Sequence, residues 1–450
     1  MKHDKNRRQF LKQASLAGLG FWVAGGLTAA ASKSPNEKLN VAVIGAGGQG
    51  AGDTNAVAGC GENIVALCDV DDERAKGQYE KYPKAQRYKD FRVMLDKQKD
   101  IDAVIVATPD HTHAIASITA MRLGKHVYCE KPLTHDVYEA RMMRKVASEM
   151  RVATQMGNQG TSEPGMRRAV ELLRAGVVGP VHEVHVWTNR PIWPQGQWAP
   201  NEAKPVPKTL DWDLWLGTAQ ERPYNPSYCP FSWRGWWDFG TGALGDMACH
   251  TANMAFMALK LGYPTSVQAE SAGLNPYSFP KWSTITYQFP AREGMPPVKW
   301  VWYDGKKTVT HKDGKRTEER NLPSIELPGP KSDSGSLLVG ETGMLYSPND
   351  YGAKFYLILN DKWTGFTAPK PYLPRSPGHH KEWVMACKGG SPAMSNFDYA
   401  AFLTEVVVLG NVALRLAKKI EWDGPNMKAV NCPEAEPLIR RQYRKGWSIS

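Results

Sequence analysis

Several things are scarce in this 450-residue chain. No uninterrupted apolar run reaches the ~18–20 residues of a membrane-spanning helix, so no membrane partner is expected. Cysteine is sparse: seven residues, an odd number, with no C-x-x-C pair. That pattern suits neither a disulfide framework nor a zinc site and reads as scattered buried thiols. Concentrated charge is missing as well. The net charge is +11, but five basic residues against one acid in residues 1–31 carry +4 of it, and the remaining +7 forms no basic run. Nucleic acid is therefore not an expected partner. What is present is ordinary globular usage, 42% hydrophobic and 22% charged, which excludes a disordered chain and supplies apolar surface for more than one core.

Residues 1–31 read as a targeting segment. Arg7-Arg8-x-Phe10-Leu11-Lys12 precedes a mildly apolar stretch, Ala14 to Ala30, diluted by four glycines and closed by Ala29-Ala30-Ala31. This resembles a twin-arginine export signal with a small-residue cleavage site. The expectation is a periplasmic or secreted protein, exported folded.

From Leu39 an apolar strand runs into Gly45-Ala46-Gly47-Gly48-Gln49-Gly50, and a second strand, Ile64 to Cys68, ends in Asp69, 19 residues beyond Gly50. G-x-G-x-x-G between a strand and a helix, with an acid ~20 residues on, is the dinucleotide-binding pattern. Gly45 permits the turn, Gly47 the approach of a pyrophosphate, and Gly50 the close helix–strand packing. Asp69, with Asp71 and Asp72 nearby, favours NAD over NADP, because a 2′-phosphate would meet negative charge; Arg74 is the opposing feature. Further alternation (strand 102–107, helix 110–123, strand 126–129, helix 134–149, strand 152–156) predicts a doubly wound parallel sheet over 38–158. Ligands in such sheets bind beyond the strand C-termini. There stand Thr108-Pro109-Asp110-His111-Thr112-His113, Glu130-Lys131-Pro132 and Gly157-Asn158-Gln159-Gly160. His111 and His113 have no partner in register for a metal, and none is expected.

The order strand–GxGxxG–strand–Asp, then T-P-[N/D]-x-x-H, then E-K-P, resembles the Gfo/Idh/MocA family of nicotinamide oxidoreductases over residues 39 to about 160. The resemblance implies a catalytic Lys131 and a cofactor surrounded by Thr108, Pro109, Asp110, His113 and Glu130. Gln49, Asn158 and Gln159, on the glycine loop and the strand ends, join the candidate cofactor contacts.

After residue 160 a helix, 164–174, gives way to strand alternation at 181–187, 266–272, 284–289, 298–303, 337–339 and 354–359, joined by Pro- and Gly-rich turns. Residues 159–450 are thus expected to form an α+β domain around an open, largely antiparallel sheet. The family resemblance implies a homo-oligomer built through that sheet. Asp246 and His250 lie four apart and share a helix face. The family's Asp-x-x-x-His pair implies His250 as general acid/base with Asp246 supporting it. Eight of the 16 tryptophans fall between 187 and 237. Flat aromatic faces suit sugar C–H surfaces, and most of the eight are expected to serve packing. Trp193, Trp198, Trp236 and Trp237 are candidate walls, with Asn189 and Arg190 at a strand end beside them. The resulting expectation is an exported NAD-dependent oxidoreductase acting on a hydroxyl of a sugar, sugar derivative or polyol. The alternative is a redox-neutral glycosidase that passes through a transient keto-sugar, although the Y-P-T-H-type segment of such relatives is absent.

Overall fold

The computed structural model describes residues 37–327 and 329–449. The targeting segment read at 1–31 lies outside the described residues.

The first sheet has six parallel strands: β1 (Asn40–Ile44), β2 (Asn63–Cys68), β3 (Gln86–Tyr88), β4 (Ala103–Val106), β5 (His126–Cys129) and β6 (Thr154–Met156). Their order is β3-β2-β1-β4-β5-β6, so the winding reverses between β1 and β4. β4 and β5 are buried along their whole length, as strands covered on both faces must be. Helices Gln49–Gly59, Asp110–Arg122 and Val137–Met150 supply the crossovers. The last of these starts on a capping box, Asp136 with Glu139, which satisfies two otherwise orphaned donors.

The second sheet contains β7 (Val181–Trp187), β8 (Ser266–Ser271), β9 (Trp282–Phe289), β10 (Val298–Thr310), β11 (Arg316–Arg320), β12 (Gly335–Gly340), β13 (Gly343–Ser347), β14 (Tyr356–Leu359), β15 (Ile420–Asp423) and β16 (Lys428–Ala429). It runs β14-β13-β12-β7-β10-β9-β8-β15-β16, with β11 paired to β10. Only β7 and β10 pair in parallel; every other pairing is antiparallel. The fold class is the expected one, a Rossmann sheet followed by an open, largely antiparallel α+β sheet. In β9, Ser283, Ile285, Tyr287 and Phe289 turn inward, the period-2 pattern of a half-buried strand.

Two late helices return to the first domain. His379–Cys387 packs on Gln49–Gly59, with His380 Nε2 3.0 Å from Asp53 Oδ1. Phe397–Leu416 packs between Val137–Met150 and the second sheet: Arg141 Nε donates to Glu405 Oε2 at 2.9 Å, and Tyr287 Oη donates to the Val407 carbonyl at 3.0 Å. This helix is long and apolar enough to cross a membrane by length and composition, and here it is a mostly buried core helix.

Candidate active site

The glycine loop leaves β1 at the reversal point. Gly45 has φ 84°, and a Cβ there would lie 2.6 Å from the Ala107 carbonyl oxygen. A Cβ on Gly50 would fall 1.9 Å from the Gly45 carbonyl oxygen, so only glycine lets this helix start so close to the strand. Asp69, at the end of β2, accepts from the Gly47 amide at 2.9 Å and the Asp71 amide at 3.0 Å, while burial pushes its pKa up. A cavity of about 400 Å³ runs from this loop along the strand ends into the second domain. Gly45, Gly47, Gln49, Asp69, Thr108, Pro109, His113, Glu130, Lys131, Arg190, Trp193 and Asp246 line it. A glycine-tight helix start, a carboxylate at the end of β2 and an elongated cleft at the topological switch point fit a dinucleotide.

At the far end of the cleft the two domains meet through charge. Lys131, just beyond β5, donates to Asp246 Oδ1 at 2.8 Å and to the Asp246 carbonyl at 3.1 Å. Asp246 stands in the helix Gly242–Thr251 of the second domain. Arg234 lies 3.3 Å from its Oδ1 and Arg190 3.3 Å from its Oδ2. Burial alone would raise the Asp246 pKa, but Lys131, Arg234 and Arg190 together hold it well below the usual carboxylate range. Glu130 is the opposite case: burial and the neighbouring Asp53 push it up against the pull of Lys131.

The pairing expected between Asp246 and His250 is not what the structure shows. Both Asp246 oxygens face cations, and the aspartate is the partner of Lys131. His250 lies one turn further along, buried and set back from the cavity lining, with its ring edge-on to Tyr351 at 4.9 Å. Its Nδ1 has no hydrogen-bond partner among the described residues. Burial first, then Lys131, keeps its pKa well below the ordinary histidine value despite the counter-pull of Asp246.

The remaining candidates divide. Asp110 is fully buried and accepts from the Thr241 amide (3.0 Å) and hydroxyl (2.6 Å), so it holds the start of the Asp246 helix against the first domain. Asn158 donates to the Cys249 carbonyl at 3.1 Å, bracing the same helix. His113 sits with its ring nitrogens 2.8 and 2.7 Å from the Pro132 and Thr108 carbonyls, tying the Thr-Pro-Asp and Glu-Lys-Pro turns together. Asn189 accepts from Arg190. Gln159 points out, exposed, on a short 3₁₀ turn. Trp236 and Trp237 lie away from the cleft, because packing claims both. Trp236 donates to the Ser227 carbonyl within an aromatic cluster, and Trp237 lies tilted against Phe279 with centroids 3.8 Å apart. Trp198 is 69% exposed, beside Tyr277. His111 is enclosed between the Phe239 and Trp215 carbonyls, and no cluster of metal-ligating side chains occurs among the described residues.

Sequence reasoning missed Arg234, Trp233, Phe231, Ile192 and Tyr351. The Arg234 guanidinium stands 4.2 Å from the Trp233 ring and 5.6 Å from the Trp193 ring, between Asp246 and Asp110 (3.4 Å). The density of tryptophan around it was its only sequence signal.

Residues 39–158 match the family described as oxidoreductase family, NAD-binding Rossmann fold, and residues 172–295 match its C-terminal alpha/beta domain. The chain carries both domains of the Gfo/Idh/MocA oxidoreductase family. Its first domain is therefore an NAD-binding domain. Inositol 2-dehydrogenase 2 of Saccharopolyspora erythraea is 34% identical over 155 residues, 33% of this chain and 45% of that one. A glycosyl hydrolase family 109 protein of Solibacter usitatus is 33% identical over 193 residues, 39% and 43% of the two chains. The chain thus matches less than half the length of these relatives. Among solved structures, the WlbA dehydrogenase from Bordetella pertussis, in complex with NADH and UDP-GlcNAcA, aligns with TM-score 0.60 at 16% identity over 86% of this chain and 99% of that one, a likeness of fold.

Proposed function

We propose that this protein is an NAD-dependent oxidoreductase acting on a CH–OH group of a sugar, sugar derivative or polyol. The observation that carries the reading is the contact of Lys131 with Asp246: it closes the substrate end of an NAD cleft with an ion pair drawn from both domains. NAD, when bound, takes up or returns hydride. The chain's own residues do the rest. Lys131 Nζ, fixed by Asp246 and facing the cleft, stabilises negative charge developing on the substrate oxygen. His250, kept neutral by burial, serves as proton acceptor once its ring, set behind the lining with Nδ1 enclosed, turns toward the cleft as substrate binds. Arg190 and Arg234 keep Asp246 ionised, so that Lys131 stays in place. Trp193, Trp233 and Phe231 wall the substrate side with flat apolar faces. The kinship with an inositol dehydrogenase supports a polyol or sugar substrate. The test is to release bound nucleotide from denatured protein for mass spectrometry, then follow nicotinamide absorbance as polyols and sugars are added. NAD with reduction by at least one of them is expected; no nucleotide, or no response across the panel, would contradict the proposal.

The likeness to a glycosyl hydrolase family 109 protein favours a second reading, a redox-neutral glycosidase. Solvent deuterium incorporated beside the oxidised carbon, with no net reduced cofactor, would select it. The Arg7-Arg8 segment further supports twin-arginine export to the periplasm, and the open sheet suits a homo-oligomer. Replacing both arginines with lysine should trap the protein inside the cell.

A further inference from the structure

Beyond Asp69 the cleft is finished by residues from outside the first domain. The turn after β2 pairs with a strap from the second: the Asp211 amide donates to the Val70 carbonyl at 2.8 Å, and the Asp72 amide donates to the Thr209 carbonyl at 3.1 Å. Just past the strap's short helix, Trp212–Leu216, a segment from far along the chain is fastened. Arg444 donates its amide to the Thr218 carbonyl and its Nε to the Gly217 carbonyl, both at 3.1 Å. Gly446, at φ 90°, then turns the backbone so that the Trp447 amide meets the Arg444 carbonyl at 3.1 Å. That turn delivers Trp447 to the cleft lining, where it stands with Phe91 and Leu214. The Trp447 and Phe91 ring centroids are 6.0 Å apart. The Arg92 guanidinium lies 4.2 Å from the Trp447 ring and fixes one side of the indole, which stays partly exposed.

The sheet order β3-β2-β1-β4-β5 fixes which end of the cleft this is. Phe91 follows β3 and Lys131 follows β5, so the aromatic wall stands on the far side of Asp69 from the proposed chemistry. Lys89, also in that wall, is already committed: it pairs with Asp72 at 2.9 Å and donates to the Thr209 carbonyl at 3.1 Å. What remains past the ribose carboxylate is a flat, apolar slot, which suits a heterocyclic base rather than a phosphate. We infer that Trp447 is a cofactor-binding residue, its indole packed on the adenine of NAD, and that residues 444–447 are the clip that holds the adenosine half. Cofactor affinity is then made partly outside the NAD-binding domain. The inference rests on that domain and not on the proposed substrate, so either can fail without the other.

Isothermal titration of the full-length protein, freed of bound nucleotide, tests this with NAD and with nicotinamide mononucleotide, which lacks the adenosine half. Trp447→Ala should weaken NAD by roughly tenfold or more, the usual loss when an aromatic platform is taken from a base. Nicotinamide mononucleotide should bind the variant as it binds the unaltered protein. Trp447→Phe, which keeps a flat ring, should recover most of the NAD affinity. Hydroxyl-radical footprinting of the unaltered protein keeps the test alive if Trp447→Ala fails to fold. The tryptic peptide Gly446–Ser450 holds no other tryptophan. Saturating NAD should cut oxidation of Trp447 several-fold, and nicotinamide mononucleotide should not. NAD affinity within about twofold of the unaltered protein in a folded Trp447→Ala variant, equal weakening of both ligands, or equal oxidation of Trp447 with and without NAD would overturn the assignment.

Discussion

Asp246 gathers three cations, and that changes what its removal should do. If it merely oriented His250, Asp246→Asn would be the mildest of the active-site changes. Instead it leaves Lys131, Arg190 and Arg234 without their shared counterion in a buried setting. Breaking a buried pair by removing one partner typically costs ~3–5 kcal/mol. Asp246→Asn should therefore lower the melting temperature and reduce turnover by ~10²-fold or more, as much as Lys131→Met. Wild-type turnover in a stable Asp246→Asn protein would refute the role assigned to it. At the other end of the cleft, Asp69→Ala removes the acceptor of the Gly47 amide and the negative charge at the end of β2 that would meet a bound ribose. Titration calorimetry should show weaker NAD binding and a reduced preference over NADP; unchanged selectivity would mean that Arg74 or the loop decides it.

At the scale of elements, the first domain was largely legible. Strand 126–129 falls where periodicity puts it, as does helix 164–174 just beyond this domain, because a fully buried parallel strand is a short apolar run and the helix opens on Pro164 and stops at Ala175-Gly176. The helix Phe397–Leu416 was not legible: it is buried nearly all round, so it lacks the one-sided stripe that marks a surface helix. The Asp246–His250 relation was misread for a different reason. Spacing of four puts two residues on one helix face, yet it says nothing of Arg190, Arg234 and Lys131 arriving from distant segments to claim the carboxylate. Trp236 and Trp237 failed similarly, since composition cannot separate a packed core indole from one lining a cleft. The two domains are joined at Arg141 and Glu405, where Glu405 is nearly fully buried and Arg141 about a quarter exposed. Arg141→Met should destabilise by on the order of 2–3 kcal/mol in urea unfolding, less than for a fully buried pair because water reaches the arginine. A change near zero would show that the helix–helix packing does not rely on this pair.

For the whole molecule, pH should act through buried neutral histidines. His379 donates from Nε2 to the Met156 carbonyl and accepts from the Ser162 hydroxyl at Nδ1, and burial pushes its pKa down to about 3. An unfolded histidine titrates near ~6.5. The folded state therefore binds fewer protons below that value, so the stability from keeping this ring neutral is complete above pH ~6.5 and is lost as pH falls toward 3. His379→Gln should lose less stability between neutral and mildly acidic buffer than the unaltered protein; equal losses would remove His379 from the account. The central claim is that Lys131, held by Asp246 of the second domain at the end of an NAD cleft, and His250, one helical turn behind the cavity lining, carry the chemical step. The most direct test is single-turnover reduction of bound NAD by an active polyol or sugar, in the unaltered protein, Lys131→Met and His250→Ala, with retained NAD and melting temperature measured on the same samples. Folded, NAD-loaded variants slowed by ~10²-fold or more are the predicted result. Reduction within a few-fold of the unaltered rate in both variants would contradict the claim.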